Sequence, residues 1–488
     1  MRTPSPDLNA ARRRRDLTAA ADETADLLVI GGGITGAGVA LDAASRGLSV
    51  TLIEAEDLAF GTSRWSSKLV HGGLRYLATG DVATAKESAY ERHLLMTVIA
   101  PHLIRALPQL LPFSPGVTLT QRVAGAAGLG LGDLLRMRAH TPRSVLPAPR
   151  YVSANHALRL APSLEAGGLR GGVLSHDGQL IDDARLVTTV ARTAASFGAR
   201  VLTRVRALAL HAGGVSAEDT LTGERVELLA RAVVNATGVW AGTLDPSLTV
   251  RPSRGTHIVL DAAELGFPTA ALTVPHEGSI SRYVFALPQA HGRVIVGLTD
   301  EDAPGPVPLV PEPTEQEITF LLESLNRVLA TPVRRDQVRG AFAGLRPLVD
   351  AGGANGATSD ISRRHLVSET EGVVSVLGGK LTTYRRMAQD AVDRACATRG
   401  LSAAPSATAT LPLVGRTERQ QWASWHRSDP EARLIPRAVI EQAVRAEGAL
   451  TADDVLDRRT RVGLVHDDRT RNHRRVESIV SEELAALD

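Results

Sequence analysis

The pattern of apolar and polar residues near the start of the chain predicts a strand, a helix and a second strand. The apolar run at residues 27–30 is typical of a buried strand, and it leads into a glycine-rich turn at residues 31–36. A helix follows, and a second apolar run at residues 49–53 ends in Glu54. Apolar strands that alternate with helices favour a parallel sheet covered by helices, which is an α/β fold.

The middle of the chain has the pattern of further helices and short strands. Helical spacing covers residues 82–111 and 182–196, and short alternating runs between residues 201 and 235 predict a β meander. We expect the last strand of this meander, which precedes Ala236, Thr237 and Gly238, to return beside the first strand. Other strands are expected at residues 257–260, 283–287 and 293–298, with a hairpin at 366–377.

Helices dominate the prediction for the last third of the chain. Residues 314–329 and 383–398 have helical spacing. An alanine-, serine- and proline-rich linker at residues 402–410 then precedes residues 411–488, which are rich in arginine and acidic residues. We predict that this last segment forms a small helical domain.

Length and composition narrow the class of protein. A chain of 488 residues is too long for one compact core, so two or three domains are expected. With 43% hydrophobic and 22% charged residues the chain has the composition of a soluble globular protein, and a net charge of +2 argues against a nucleic-acid footprint. The single cysteine, Cys396, excludes an internal disulfide and fits a reducing compartment.

The first 23 residues contain the run Arg12 to Arg15 and no apolar segment behind it, unlike a secretory signal. We expect residues 1–23 to be a disordered basic tail, and the alternative is electrostatic attraction to an anionic membrane surface. No stretch approaches the roughly 18 apolar residues of a membrane span.

The glycine turn has the spacing of a dinucleotide-binding fingerprint. Gly31 permits a tight turn, Gly33 lets the backbone approach a pyrophosphate, and Gly36 lets the helix pack closely on the strand. The helix then begins at Ile34 and Thr35, where free N–H groups and the positive end of the helix dipole favour phosphate.

Glu54 completes the fingerprint, because it stands at the distance at which a carboxylate accepts hydrogen bonds from an adenosine ribose. The competing interpretation is a glycine-rich turn in an ordinary βαβ unit. The chain has no second fingerprint of this kind, so one dinucleotide is predicted. A bound flavin fits this better than a flavin paired with a nicotinamide.

Lysine is rare in this chain. Only Lys68, Lys86 and Lys380 are lysines among 55 basic residues. Lys68 and Lys380 lie in glycine- or serine-flanked segments, where a compact point charge differs from a planar guanidinium. We predict functional roles for these two residues, and chance survival of lysine is the alternative.

Eight motifs carry a resemblance to a known family. Residues 30–47 and 378–388 resemble the two signatures of FAD-dependent glycerol-3-phosphate dehydrogenases. Six other motifs stand between them in the family's order, at residues 66–76, 182–186, 235–238, 254–257, 297–300 and 344–348. The resemblance covers roughly residues 24–400. Two features depart from it, namely Leu298, where many relatives carry threonine, and a shorter C-terminal domain.

The resemblance implies an α/β fold with an FAD-binding Rossmann-like domain of the glutathione-reductase and D-amino-acid-oxidase type. An inserted α+β substrate domain and a C-terminal helical domain complete it. The expected FAD-binding segments are residues 24–80, 151–250 and 335–400. The expected substrate-binding or cap segments are residues 81–150 and 251–334.

The family reaction is the oxidation of sn-glycerol 3-phosphate to dihydroxyacetone phosphate, with hydride transfer to FAD and electrons passed to a membrane quinone. For the phosphate we expect Arg346, assisted by Arg75, because a guanidinium matches phosphate oxygens bidentately. For the proton of the C2 hydroxyl, His257 is the first candidate base and His71 is its rival, which instead lies against the flavin in the other interpretation.

Lys380 is expected to stabilise negative charge on the flavin or the substrate, and Tyr76 either to hydrogen-bond substrate or to pack. The residues expected to contact FAD are Gly31, Gly33, Ile34, Thr35, Gly36, Glu54, Thr62, Ser63, Ser66, Lys68, His71, Gly72, Gly73, Thr237, Gly238, Gly379, Lys380, Leu381 and Thr382. Ser67 belongs to the same hydroxyl-rich segment. No metal-ligand spacing and no nucleophile elbow occurs.

A quinone acceptor implies a cytoplasmic protein attached peripherally to the inner face of the membrane, and a homodimer is possible. Candidate membrane contacts are the apolar patch at residues 123–135 and the region of His140, Arg143 and Arg150, with ordinary core as the alternative for the patch. Two other functions stay open. One is an oxidase that uses O2 and produces H2O2, and the other is a non-catalytic flavin-binding regulatory protein.

Overall fold

The structure is a computed structural model that describes residues 4–73, 76, 80–349, 365–415 and 434–487. A first sheet contains the strands β1 (Ala25–Ile30), β2 (Val50–Glu54), β7 (Arg200–Thr203), β8 (Val205–His211), β9 (Gly214–Asp219), β10 (Glu224–Asn235), β17 (His365–Thr370) and β18 (Val373–Gly378). Their order is β17-β18-β10-β1-β2-β7, and strands β8 and β9 extend the sheet from β10. All pairs along that order are parallel except β17 with β18.

Both faces of this sheet are covered, which explains its apolar strands. Leu27 and Val29 of β1 point to one face, where they pack in a core with three helices. Leu28 and Ile30 point to the opposite face, where the β8–β9 meander and the N-terminal helix cover them. The three helices are α2 (Ile34–Ser45), α6 (Asp183–Ser196) and α9 (Tyr384–Arg399). The return of β10 beside β1, which the sequence predicted, is confirmed.

The basic N-terminal segment is ordered, so the prediction of a disordered tail is wrong for its described helical part. Helix α1 (Ala10–Asp22) is capped by Asn9, whose side chain accepts a hydrogen bond from the Arg12 N–H. Arg13 is buried and forms an ion pair with Asp219 at 2.7 Å. Arg13 of the arginine run therefore anchors this helix to the first sheet through Asp219, which lies 206 positions later in the chain.

A second, mostly antiparallel sheet contains the strands β3 (Leu69–Val70), β4 (Ile104–Pro112), β5 (Arg150–Val152), β6 (Gly172–Leu180), β11 (Val250–Asp261), β12 (Ala271–Pro275), β13 (Tyr283–Pro288), β14 (Arg293–Gly297), β15 (Glu301–Asp302) and β16 (Gly340–Val349). Their order is β15-β11-β14-β13-β12-β4-β6-β3, with β16 paired to β11 and β5 to β6. Helix α8 (Glu315–Asn326) packs on this sheet around an apolar core.

The second sheet corrects two expectations. The predicted helix over residues 82–111 ends early, because helix α3 (Val82–Leu94) gives way to a π turn and then to β4. Strands β6 and β16 pair within this sheet, although residues 151–250 and 335–400 were assigned to the FAD-binding unit. In the described part of the chain before residue 400, the remaining α-helices are α4 (Leu119–Arg138), α5 (Ala154–Leu160) and α7 (Ala241–Leu244).

The described part of the C-terminal segment is helical, as the sequence predicted. It contains α10 (Arg437–Ala446), α11 (Ala452–Asp454) and α12 (His466–Ala485), which share an apolar core. Buried ion pairs join it to the first unit, with Arg459 2.8 Å from Asp57 and Arg185 2.6 Å from Glu447. Among the described residues, no helix is both long and apolar enough to cross a bilayer.

Candidate active site

One cavity of about 1000 Å³ is lined by residues of both sheets. One end of it lies at the glycine turn between β1 and α2. Gly31 has a φ of +107°, and a Cβ atom there would lie 2.6 Å from the Ala236 carbonyl oxygen. A Cβ at Gly36 would lie 1.8 Å from the Gly31 carbonyl oxygen. The turn therefore depends on close backbone approach, as the fingerprint requires.

Two side chains hold this end of the cavity in shape. Ser63 Oγ accepts a hydrogen bond of 2.9 Å from the Ile34 N–H at the start of α2. Glu54 accepts from the Gly32 N–H at 2.6 Å and from the Glu56 N–H at 2.9 Å, and burial raises the pKa of its carboxyl. Each carboxylate oxygen keeps a further lone pair for a ribose hydroxyl. This end fits the adenosine and pyrophosphate of FAD.

The segment after β18 borders the same cavity. Gly378 and Gly379 both have positive φ, at +70° and +72°, and they bring Lys380 to the cavity wall. The Lys380 ammonium donates to Ser88 Oγ and lies 4.2 Å from the centre of the Tyr76 ring. The wall therefore carries a positive charge where the sequence predicted one.

His257 lies on β11 and is 2% exposed. Its ring stacks on Phe342 with centroids 4.8 Å apart, and its Nε2 is 2.8 Å from Ser67 Oγ. Burial, followed by the charges of Arg346 and Lys68, lowers the pKa of His257 to about 3. The ring is therefore neutral near pH 7, which a proton acceptor requires, although it is a weak base in this environment.

Arg346 extends from β16 into the cavity lining, and its guanidinium is held in a fixed orientation. Nη1 donates to Asp300 Oδ1 at 3.0 Å and to Ser253 Oγ at 3.2 Å, while Nη2 donates to the Thr299 carbonyl at 3.1 Å. A Cβ at Gly255 would lie 2.2 Å from Nη2, so the guanidinium lies directly against that glycine. Asp300, the last residue of the motif at residues 297–300, lines the same cavity, although it was not among the predicted site residues.

Lys68 differs from its sequence-based assignment as a cofactor contact. It is buried outside the cavity lining, and its ammonium is 2.9 Å from Asp183 and 3.7 Å from Asp182. Burial alone would raise the pKa of Asp183, but the charges of Lys68 and Arg461 lower it to about 2. Asp183 Oδ2 also accepts from the Ser66 N–H and hydroxyl, at 3.0 and 2.8 Å. Lys68 therefore acts on the serine segment through Asp183, which binds both Lys68 and Ser66.

The structure brings most of the predicted site residues together and leaves a few aside. Arg75 lies outside the described residues. Tyr76 packs beneath α3 and α4 with Ala85 and Leu135 and does not line the cavity. The cavity lining also excludes Gly36, Gly72 and Gly73. The predicted residues that line the cavity are Gly31, Gly33, Ile34, Thr35, Glu54, Thr62, Ser63, Ser66, His71, Thr237, Gly238, His257, Arg346, Gly379, Lys380, Leu381 and Thr382.

Helix α4 borders the cavity on a further side. Ala124, Gly128 and Leu131 of this helix belong to the lining. The helix also presents apolar side chains outward, with Leu131 and Leu134 51% and 53% exposed. The patch predicted at residues 123–135 is thus largely a surface, and only part of it, such as Leu135, is core.

The chain is similar to known flavoproteins. The family described as FAD dependent oxidoreductase matches residues 26–385. Glycerol-3-phosphate dehydrogenase 1 of Mycobacterium tuberculosis is 53% identical, over 96% of this chain and 97% of its own length. Glycerol-3-phosphate dehydrogenase 2 of the same species is 40% identical, over 84% of this chain and 70% of its own.

Solved structures share the fold. The X-ray structure of glycerol-3-phosphate dehydrogenase from Bacillus halodurans complexed with FAD has a TM-score of 0.70 at 24% identity and covers 98% of both chains. The L-alpha-glycerophosphate oxidase from Mycoplasma pneumoniae with FAD bound has a TM-score of 0.60 at 18% identity, over 80% of this chain and 99% of that one. With the glycine turn, the cavity and these likenesses together, the chain belongs to the FAD-dependent glycerol-3-phosphate dehydrogenase family.

Proposed function

We propose that this protein oxidises sn-glycerol 3-phosphate to dihydroxyacetone phosphate with FAD as the hydride acceptor. The observation that carries the proposal is that His257, Arg346 and Lys380 line one cavity with the glycine turn. A small alcohol that carries a phosphate dianion needs cations for the phosphate and a neutral base for the hydroxyl. The names of the curated relatives support the same substrate.

In this proposal Arg346 binds the substrate phosphate. Asp300, Ser253 and the Thr299 carbonyl hold the guanidinium before a phosphate arrives, so little side-chain entropy is lost on binding. A planar guanidinium donates to two phosphate oxygens at once, and Lys380 adds a second positive charge on the cavity wall.

His257 removes the proton of the C2 hydroxyl, and bound FAD supplies the acceptor for the hydride. After burial, the charge of Arg346 is the largest cause that lowers the pKa of His257. A phosphate dianion beside Arg346 counteracts that charge, so substrate binding raises the pKa of His257 and makes it a stronger base. The enzyme therefore becomes a proton acceptor when its own substrate is present.

Product analysis tests this function. Purified FAD-loaded protein, supplied with glycerol 3-phosphate and an artificial electron acceptor, should form one dihydroxyacetone phosphate for each two electrons transferred. Glycerol at the same concentration should give no product above background. Equal turnover of both alcohols, or no turnover of either, would refute the assignment.

We further propose that the electrons pass to a membrane quinone and that α4 attaches the protein peripherally to the inner face of the cytoplasmic membrane. Its exposed leucines lie beside its cavity-lining residues, and the exposed Ile280 and Leu309 also border the cavity. An apolar surface at the mouth of a flavin cavity suits a lipid-soluble acceptor. Arg138, which is exposed in the last turn of α4, favours anionic lipid.

A vesicle experiment tests the membrane proposal. The double variant Leu131→Ser/Leu134→Ser should bind vesicles of anionic phospholipid at least tenfold more weakly, because about 1.5–3 kcal/mol per leucine is lost on exposure. The exposed pair Leu221 and Leu229, on another surface, provides the matched serine control. Equal binding of both double variants would contradict the role of α4. Peroxide formation faster than reduction of a quinone analogue would favour the oxidase instead.

A further inference from the structure

Ser67 is the polar partner of His257 within the described residues. Ser67 Oγ is 2.8 Å from His257 Nε2, and both residues line the cavity. The other ring nitrogen, Nδ1, is buried and has no hydrogen-bond partner in the described part of the chain. A proton that His257 exchanges with the cavity therefore passes the position of Ser67.

The imidazole ring is fixed in this orientation. Phe342 stacks on one face of it at 4.8 Å, with the two rings inclined by 12°. A Cβ atom at Gly297 would lie 2.1 Å from His257 Cδ2, so the backbone of β14 lies directly against the ring edge. Because the ring has so little room to turn, Nε2 stays directed at Ser67.

The backbone on both sides of Ser67 is anchored as well. The preceding Ser66 donates twice to Asp183, and the following Lys68 pairs with the same carboxylate through its ammonium. Arg461 of the C-terminal unit reaches this anchor, with its Nε 3.2 Å from Asp182 and 3.8 Å from Asp183. A serine held this firmly keeps its hydroxyl in one place.

We propose that Ser67 is a further catalytic residue, which relays the C2 hydroxyl proton to His257, and that Asp183 is its positioning residue. This inference rests on the proposed oxidation of glycerol 3-phosphate. The C2 O–H bond breaks as its proton moves to Ser67 Oγ, while the proton of Ser67 moves to Nε2. The C2 hydride, with its electron pair, goes to oxidised FAD, and the C2–O bond becomes a carbonyl. This direction requires the tautomer in which Nδ1 carries the ring proton.

Matched variants at one position test the relay. Ser67→Thr keeps a hydroxyl, and Ser67→Val has nearly the same shape without one. In anaerobic single-turnover reduction by glycerol 3-phosphate, Ser67→Val should lower the limiting rate about 100-fold, on the order of a general acid–base contribution. Ser67→Thr should stay within about tenfold of the parent. FAD content and the half-saturating substrate concentration should change little in either, and Ser478→Ala, an exposed serine on α12, is the surface control.

Equal limiting rates for Ser67→Val and Ser67→Thr, with the parent protein active, would overturn the relay alone. A parent protein that glycerol 3-phosphate fails to reduce would instead overturn the proposed function. A second readout needs no variant of Ser67. Nitrogen-15 histidine spectra of the FAD-loaded parent, with His257 assigned from the loss of its signals in His257→Gln, should show Nδ1 protonated and Nε2 accepting. Protonation at Nε2 would contradict the proposal even if the valine variant failed to fold.

Discussion

The two ends of the cavity are built in different ways. The cofactor end consists of backbone brought close by glycines, with Gly31 against the Ala236 carbonyl after β10 and Gly36 against the Gly31 carbonyl. The substrate end consists of side chains from separate strands, His257 on β11 and Arg346 on β16, each held by neighbours from elsewhere in the chain. Backbone recognition tolerates few substitutions and leaves a local sequence pattern. Side-chain recognition is tunable, and it depends on tertiary packing.

Removing the substrate-end cation should have the largest effect. Arg346→Ala should weaken transition-state stabilisation for glycerol 3-phosphate by about 2–5 kcal/mol, because a held charge pair is lost, and should leave turnover of glycerol nearly unchanged. The kcat/KM of Arg346→Lys for glycerol 3-phosphate should fall between those of the parent and Arg346→Ala, since lysine keeps the charge and lacks the planar guanidinium. The values of kcat/KM for both alcohols check this, with FAD content unchanged. A loss shared by both alcohols would remove the phosphate role from Arg346.

A substitution at the cofactor end should lower the FAD content of the protein, which the Arg346 variants leave unchanged. Gly36→Ala places a methyl group against the Gly31 carbonyl, and overpacking of this kind costs roughly 1–3 kcal/mol. We expect most of the variant to purify without FAD. Gly130→Ala on α4, where a Cβ meets nothing within 4 Å, should keep its FAD. The ratio of absorbance near 450 nm to that at 280 nm, roughly a measure of flavin occupancy, decides between them. Full occupancy of Gly36→Ala would show that the close approach is dispensable.

The buried histidine gives the substrate end a pH signature. The folded pKa of His257, about 3, lies below its unfolded value near 6.5, so the unfolded state binds a proton that the folded state does not. The free energy of unfolding should fall as the pH drops from about 6.5, with His257 contributing up to about 1.4 kcal/mol per pH unit. Urea unfolding of His257→Gln between pH 7.5 and pH 4.5 should show a shallower slope, on the order of one proton. Identical slopes would mean that the ring is charged when buried.

The smallest effect is expected at the ribose position. Glu54→Ala should weaken FAD binding by about 1 kcal/mol, since hydrogen bonds to the cofactor and to the Gly32 N–H are lost. Glu54→Gln keeps an acceptor oxygen and should lose less. Recovery of flavin fluorescence on dilution measures the affinity, while the preference for glycerol 3-phosphate over glycerol should not change. A changed preference would show that the two ends are coupled.

The sequence predicted local features well, because their causes are local. The strand, turn and helix around Gly31, and the acid at Glu54, carry their geometry within 30 residues. Strand β4 was predicted as helix because its partners, β6 and β12, are distant in the chain and supply most of its stability. Helix α1 was missed for the same reason. A run of arginines predicts a solvated segment, and only the folded chain brings Asp219 beside Arg13.

The substrate end was predicted in part. Family motifs identified His257, Arg346 and Lys380, and the structure brings them to one cavity. The residues that hold them follow no spacing rule. Ser67 lies 190 positions from His257, and Asp300 lies 46 positions from Arg346. A side-chain hydrogen bond between distant segments leaves no periodic signal in the sequence, so such partners become visible only when the sheets are assembled.

Anaerobic reduction of the bound flavin tests the central claim most directly, namely that a cationic pocket beside FAD selects a small phosphorylated alcohol. The flavin absorbance of the purified protein should bleach on addition of glycerol 3-phosphate, and it should persist with glycerol, free amino acids and inorganic phosphate. Bleaching by glycerol or an amino acid as readily as by glycerol 3-phosphate, or no bleaching by glycerol 3-phosphate, would contradict the account.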